Sequence, residues 1–296
     1  MRDRFIDVVT KLLDRHDHVA LVLADISSGH FIESGAAAAH PDRVINVGIR
    51  EQLQIGVAAG MALEGLRPIV HSYAPFLIER PLEQIKLDLI HQGAGAILVS
   101  IGASYDAAGE GRTHQAPEDV ALLCTFPEMQ IHVPGHCDEV EALLESAALV
   151  SDPIYIRLTE QSNEQPLGVG ALTTVKRGSE GSPVVLCIGP TVDRVVEAAA
   201  DIDVTITYTA TVRPFDEVGL RSALGSSSAL IVVEPYLEWT THREIMPALN
   251  DRAIRLMAIG VQRAEHRRYG HRDEHDVAYQ LDVRGIRSRI EAFVDT

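Results

Sequence analysis

Short apolar runs alternate along this chain with stretches of helical periodicity, and few architectures tolerate that pattern. A strand, a helix and a second strand in succession need a crossover, which makes the strands parallel and lays helices on the faces of the sheet. The runs that read as strands are HVALVLA near residue 20, RVIN near 45, RPIVHS near 70, AILVSIG near 98, MQIHV near 131 and PIYIRL near 156. Helical patterns fall at 50–64, 79–91, 116–125 and 137–149, the last with Asp138, after Gly135, in its N-cap region. Residues 160–182 are polar and glycine-rich with little periodicity, and read as a domain boundary. A second α/β pattern follows: a strand at PVVLCIG (183–189), a helix over TVDRVVEAAA, and strands at VTITY, ALIVVE (229–234) and RAIRLMAIG (252–260). The expectation is two three-layer α/β/α domains with mainly parallel sheets, over residues 1–165 and 180–296.

Composition narrows what such a pair of domains does. The 296 residues carry a formal net charge of -16, which argues against a nucleic-acid or anionic-membrane partner. The local basic run of Arg263, His266, Arg267 and Arg268 is interleaved with Glu265 and reads as a solvated face or a subunit contact. Cys124, Cys137 and Cys187 are an odd, sparse set without a CxxC pair, which fits reduced thiols and a cytoplasmic setting. Cys187, inside PVVLCIG, reads as a core residue. The N-terminal MRDRFIDVVTKLLDRHD is amphipathic and lacks a signal-peptide core, and no apolar stretch approaches the roughly 20 residues that span a bilayer.

The densest segment is RVINVGIREQLQIGVAAGMALEGLRP, residues 43–68. A strand ends near Asn46, Gly48 turns the chain, and a helix starts at about Arg50. Gly56, Ala58, Ala59 and Gly60 give that helix a small-residue face suited to close approach by a ligand, a sheet or a subunit. Glu51 falls in the first turn, where the helix dipole favours a carboxylate. Alone, it reads as a helix-start acid.

With its surroundings, Gly48-Ile49-Arg50-Glu51-Gln52 resembles the G-I-x-E-Q stretch in the pyrimidine-binding domain of the transketolase family. The resemblance implies thiamine diphosphate as cofactor, with Glu51 meeting N1′ of its aminopyrimidine. Protonation there lets the cofactor's own amino group deprotonate its thiazolium, so the protein need supply only one well-placed carboxyl. SYAPFLIERPLEQIK (72–86) resembles the family's aromatic-x-x-aromatic segment before Arg-Pro, with Arg80-Pro81 expected to open a helix. The resemblance implies that Tyr73 and Phe76 pack on the aminopyrimidine. It leaves Arg80 either structural or lining the substrate channel. AAGEGRTHQAPEDVALL (107–123) resembles the family's T-H-Q-x-x-E-D loop and implies that His114 contacts the sugar hydroxyl near the reacting carbon. Glu118 and Asp119 then cap the next helix or meet a partner. The second domain matches more loosely: TVRPFDEVGL resembles the family's K-P-x-D stretch, and IVVEPYLEW lacks the usual Gly-Gly after its glutamate.

The departures are informative. The family's diphosphate and metal motif, Gly-Asp-Gly, occurs nowhere in the chain. The resemblance therefore implies a separate N-terminal diphosphate-binding subunit that holds Mg2+ or a similar ion, with this chain supplying no metal ligand. The chain also begins where that domain would end, so the expected assembly is α2β2 with this chain as β. Glu110 replaces the family aspartate before the T-H-Q histidine, Gly102 replaces a histidine, and Glu160 replaces the arginine that binds a sugar phosphate, although Arg157 remains. Glu110, Arg157 and Arg80 are the substrate candidates, for a small sugar-like substrate. The expected reaction moves a two-carbon ketol unit from a ketose to an aldehyde. The β subunit of a 2-oxoacid dehydrogenase E1, a deoxyxylulose-phosphate-synthase-like enzyme and a regulatory pseudoenzyme are the alternatives. Ala62-Leu63-Glu64-Gly65-Leu66-Arg67-Pro68 is shared with the first of these, whereas T-H-Q and Gln52 favour transketolase.

Overall fold

The computed structural model describes residues 1–265 and 267–295; His266 of the basic run lies outside the described residues. The chain forms two compact units. The first comprises Met1–Asp106, Thr113–His132 and Val140–Glu160; the second comprises Ala107–Arg112, Val133–Glu139 and Gln161–Thr296. Two short segments within the expected first domain therefore pack with the second unit. Gly111 illustrates why: at φ +75° it lies so close to the Tyr269 ring that a Cβ would sit 2.5 Å from it.

Along the chain the first elements are α1 (Arg2–Arg15), β1 (Val19–Leu23), the short α2 (Ser28–Glu33) and α3 (Ala36–Ala39), β2 (Val44–Asn46), α4 (Glu51–Leu63) and β3 (Arg67–Tyr73). Two wide π-type turns, Pro75–Glu79 and Ile85–His91, flank α5 (Leu82–Gln84). Then come β4 (Ile97–Ile101), α6 (Asp119–Leu123), β5 (Gln130–His132), α7 (Cys137–Ala147) and β6 (Ile154–Arg157). The single helix expected over 79–91 is thus broken. Pro81 cannot donate to a continuous ladder, and the widened turns take up the difference.

The six strands of the first unit are all parallel, in the order β5-β6-β4-β3-β1-β2. β1 and β4 are buried along their whole length, as expected for a sheet covered on both faces. α1 covers it with Phe5, Val8, Val9, Leu12 and Leu13, spaced on one helical face and fully buried. Each such side chain contributes about 1.5–3 kcal/mol on burial. Because the strands are parallel, their carboxyl ends share one edge, and the loops after β2, β3 and β4 gather there.

The second unit contains β7 (Thr173–Lys176), β8 (Val184–Ile188), α8 (Val192–Ala198), β9 (Thr205–Thr209), a short β10 (Thr211–Arg213), α9 (Glu217–Leu224), β11 (Ala229–Leu237), α10 (His242–Leu249), β12 (Arg255–Val261), α11 (Arg272–Ala278) and α12 (Val283–Val294). Its five-stranded sheet runs β12-β11-β8-β9-β7. β7 falls inside the stretch read as a boundary. It is a half-buried edge strand, antiparallel to β9, and too short to show a period. Cys187 is fully buried in β8, as its apolar run suggests. No helix among the described residues is long and apolar enough to cross a membrane.

Candidate active site

The site is built at the carboxyl edge of the first sheet. Asn46 ends β2 and organises the turn that follows. Its Oδ1 accepts from the backbone N–H of Asp25 and of Gly48, each at 3.0 Å. Gly48 at φ +71° then turns the chain into α4. One face of α4 carries Glu51, Gln54, Ile55, Ala58 and Ala59 inward. Gln54 is fully buried and locks the helix to the sheet, its amide donating to the carbonyls of Val22 at 2.8 Å and His71 at 3.0 Å. The small-residue stripe is thereby divided: Ala58 and Ala59 are buried, whereas Gly60 is exposed and a Cβ there would meet nothing within 4 Å.

Glu51 occupies the first helical position and is 1% exposed. Its Oε2 accepts from Nη1 of Arg80 at 2.6 Å, and that arginine side chain is 37% exposed. The Arg80 guanidinium also lies over the Phe76 ring, 4.3 Å from its centroid. Gln52 donates to the Arg80 carbonyl at 3.3 Å, holding the turn that delivers it. Phe76 and Tyr73 meet edge to face at 6.2 Å, and the His114 ring stands edge-on to both, at 5.0 Å from Phe76 and 5.9 Å from Tyr73. Thr113 Oγ1 lies 3.0 Å from His114 Nδ1. Glu51, Tyr73, Phe76, Arg80 and His114, drawn from three loops, thus form one cluster.

Of the other two candidates, one is held inside the first unit and one belongs to the second. Arg157 is 1% exposed. Its Nε donates to Asp119 Oδ2 at 2.7 Å and its Nη2 to Ser104 Oγ at 2.6 Å. Tyr155 donates to the same Asp119 oxygen at 2.7 Å and lies 2.7 Å from Ser100 Oγ. Burial, and then the Asp119 carboxylate, hold the Tyr155 phenol protonated. Arg157 is therefore engaged inside the first unit, and Asp119 is turned inward to meet it. Glu110 is exposed on a single 3-10 turn, Ala108–Glu110, that belongs to the second unit.

Gly102 enters the sequence reading only as a departure, and His71, Asp106 and Gln54 do not enter it at all. Gly102, at φ +68°, is the seat of Tyr73: a Cβ would fall 2.1 Å from the ring, so a larger residue there would displace Tyr73. His71 is fully buried between Val99 O and Ser27 Oγ, each at 2.8 Å. Burial lowers its pKa to about 3, so it is neutral and structural. Asp106 accepts from Thr159 Oγ1 at 2.9 Å and from the Glu160 N–H at 3.0 Å, and burial pushes it up to about 6. Gln54 is the findable one, a polar residue on the inward face of a helix.

A buried helix-start carboxyl beside aromatic rings stands at the carboxyl edge of a parallel sheet, the edge at which open α/β proteins bind their ligands. Comparison with known proteins narrows the class. The family profile described as the transketolase pyrimidine binding domain matches residues 1–165. A 33.6 kDa protein of the fasciation locus of Rhodococcoides fascians is 43% identical over 287 residues, covering 95% of this chain and 91% of that one. An apulose-4-phosphate transketolase subunit of Actinobacillus succinogenes is 30% identical over 249 residues, covering 80% and 77%. Among solved structures, a split-gene transketolase described as an inactive β4 tetramer superposes with TM-score 0.84 at 23% identity, covering 99% and 97%. The chain belongs to the transketolase family, through its pyrimidine-binding domain.

Proposed function

We propose that this chain is the β subunit of a split, thiamine diphosphate-dependent transketolase that moves a two-carbon ketol unit from a ketose to an aldehyde, and that it works only with a partner chain holding the diphosphate and a divalent metal. The observation that carries this reading is the Glu51–Arg80–Phe76 arrangement. Arg80 places a flat, N–H-bearing group against the Phe76 face while donating to a buried carboxylate. An aminopyrimidine needs the same two things, a ring face and a carboxyl oxygen at its edge, so the residues present fit that end of the cofactor. When bound, the cofactor supplies the electron sink for breaking a carbon–carbon bond beside a carbonyl.

Each residue of the cluster then has a task. Glu51 holds a proton between its Oε2 and the ring nitrogen, and burial keeps water from competing for it. Phe76 and Tyr73 orient the ring, with Gly102 fixing where Tyr73 can lie. His114 has its Nδ1 beside the Thr113 hydroxyl, which leaves Nε2 to exchange a proton with a substrate hydroxyl. Arg80 moves aside for the ring and lines the substrate approach. The solved split-gene transketolase described as an inactive β4 tetramer, which this chain matches over 99% of its length, supports the partner subunit.

Asp106 and Glu160 set the substrate class. The exposed Glu160 stands where other family members place a phosphate-binding arginine, and its backbone is bonded to the Asp106 carboxyl. Two acids there disfavour a phosphate dianion. The proposed donor is therefore a ketose without a phosphate at that end, or one whose phosphate the partner anchors. Co-expression with the neighbouring reading frame, followed by cofactor titration of each chain and of the pair, tests the whole reading. Saturable binding by the pair alone is expected, and tight binding by this chain alone is the contrary result. Efficient turnover of xylulose 5-phosphate by a pair whose partner lacks a phosphate-binding cation would refute the substrate assignment.

A further inference from the structure

Ser104 lies in the loop that leaves the carboxyl end of β4, two residues beyond the Gly102 seat of Tyr73. Its backbone sits at φ +50°, a left-handed conformation that a serine keeps only where its surroundings impose it. Two contacts tie it down. Its carbonyl accepts from the Ala116 N–H at 2.9 Å, and the two residues form an antiparallel bridge. Its buried hydroxyl accepts from Nη2 of Arg157 at 2.6 Å.

Arg157, the last residue of β6, holds the other limb of the same loop. Its Nε donates at 2.7 Å to Asp119, the first residue of α6. One buried guanidinium therefore grips the outgoing limb at Ser104 and the returning limb at Asp119, and the Ser104–Ala116 bridge closes the neck between them. Asp106 fastens the outgoing limb a second time, accepting from Thr159 Oγ1 and the Glu160 N–H just beyond β6. The chain leaves the first unit after Asp106 and rejoins it at Thr113. His114 is only half-buried, so burial alone does not place its ring. The bridge at Ala116 does, because two residues of chain reach no further than about 7 Å.

We propose that Arg157 is a positioning residue for His114, holding the neck of the loop closed through Ser104 and Asp119 so that the imidazole keeps its place against Phe76 and Tyr73. The inference rests on the task given to His114 above. The rigid fork of arginine is what the neck requires: a lysine would face Asp119 as a point charge but offer no second arm to Ser104. A side chain that never touches substrate is then felt in turnover, since a misplacement of about 1 Å costs up to 10²-fold.

Ser104→Ala keeps the backbone bridge and removes the acceptor of Nη2; Arg157→Lys keeps the charge beside Asp119 and removes the fork. In the reconstituted pair each should lower kcat about tenfold while cofactor affinity stays at the parent value, because Glu51, Phe76 and Tyr73 hold the ring. Val8→Ala, a cavity under the fully buried face of α1, should lower the urea midpoint comparably and leave kcat unchanged, which separates positioning from general loss of stability. Added to His114→Asn, Ser104→Ala should cost nothing further. Hydrogen exchange of the full chain, followed by mass spectrometry, reads the neck without turnover. The amides of 113–119 should exchange about tenfold faster in Ser104→Ala and at the parent rate in Val8→Ala. The proposal is overturned if those amides keep their parent protection in Ser104→Ala, or if Ser104→Ala keeps its full effect on kcat without His114. If Arg157→Lys does not fold, Ser104→Ala decides. If the parent pair turns over no ketose, the transferase reading fails and the exchange rates alone decide whether Arg157 closes the neck.

Discussion

Glu51–Arg80 and Asp119–Arg157 are the same chemical pair, built twice in one unit, and their surroundings assign them opposite work. In the second pair both side chains are sealed, 0% and 1% exposed, and Tyr155, Ser104 and the Val120 N–H take up remaining bonding capacity. Nothing is left to offer a ligand. In the first pair the carboxylate is sealed but the arginine is more than a third exposed and stacked on a ring it can leave. A saturated buried ion pair has no donor or acceptor to spare, whereas a buried acid whose cation is partly exposed can exchange that cation for another donor.

Substitution should split the two pairs cleanly. Glu51→Gln, nearly isosteric, is expected to lower turnover of the reconstituted enzyme by roughly 10²–10⁴, the range for a lost acid–base group, with little change in the urea midpoint. Unchanged turnover would end the parallel with the transketolase family at its central residue. Asp119→Asn leaves Arg157 as an uncompensated buried charge and should cost about 3–5 kcal/mol of stability. Chemical denaturation measures this. A stable Asp119→Asn protein with lost activity would mean that the roles of the two pairs had been exchanged.

The contrast between these pairs also marks the limit of what a sequence can tell. The parallel sheets and the turn before α4 follow from local pattern, because apolar runs, Gly48 and the period of 51, 54, 55, 58 and 59 are adjacent in the chain. The loop residues Glu51, Tyr73, Phe76 and His114 are legible by resemblance, whereas Arg80 stands open between two roles that only its stacking on Phe76 and bond to Glu51 relate. Arg157 reads as a substrate contact because an arginine ending a strand looks alike whether it faces solvent or Asp119. Its partner is 38 residues away, and no local period encodes that meeting. β7, with four residues at a sheet edge, shows no period, and the transfer of 107–112 and 133–139 to the second unit rests on contacts such as Gly111 with Tyr269 that only the folded chain makes.

Asp106 offers a subtler version of the same test, since it is half-buried and hydrogen-bonded to neutral donors. Its pKa rises from 3.8 to about 6 on folding, with burial the largest cause. Between those values the folded state binds more protons than the unfolded one. Its contribution therefore turns unfavourable as pH rises from about 4 through 6, and is constant above, by at most about 3 kcal/mol for two pKa units. Asp106→Asn should remove that slope from a plot of unfolding free energy against pH; an identical slope would place the charge in solvent. His114→Asn should lower kcat/KM about 10²-fold while leaving the same stability plot untouched.

The smallest effect belongs to Arg80, and it probes the displaceable half of the first pair directly. The guanidinium occupies the Phe76 face and the Glu51 oxygen, so a ring that needs both must displace it, and the displacement lowers affinity. Arg80→Ala removes the competitor but leaves Glu51 buried without its cation, so the free chain should lose stability and recover it when the cofactor is added to the reconstituted pair. Cofactor affinity should then rise by less than tenfold, because the exposed arginine is only a weak competitor. A fall in affinity would show that Arg80 stays in contact after the ring arrives, and would make the first pair, like the second, a permanent fixture.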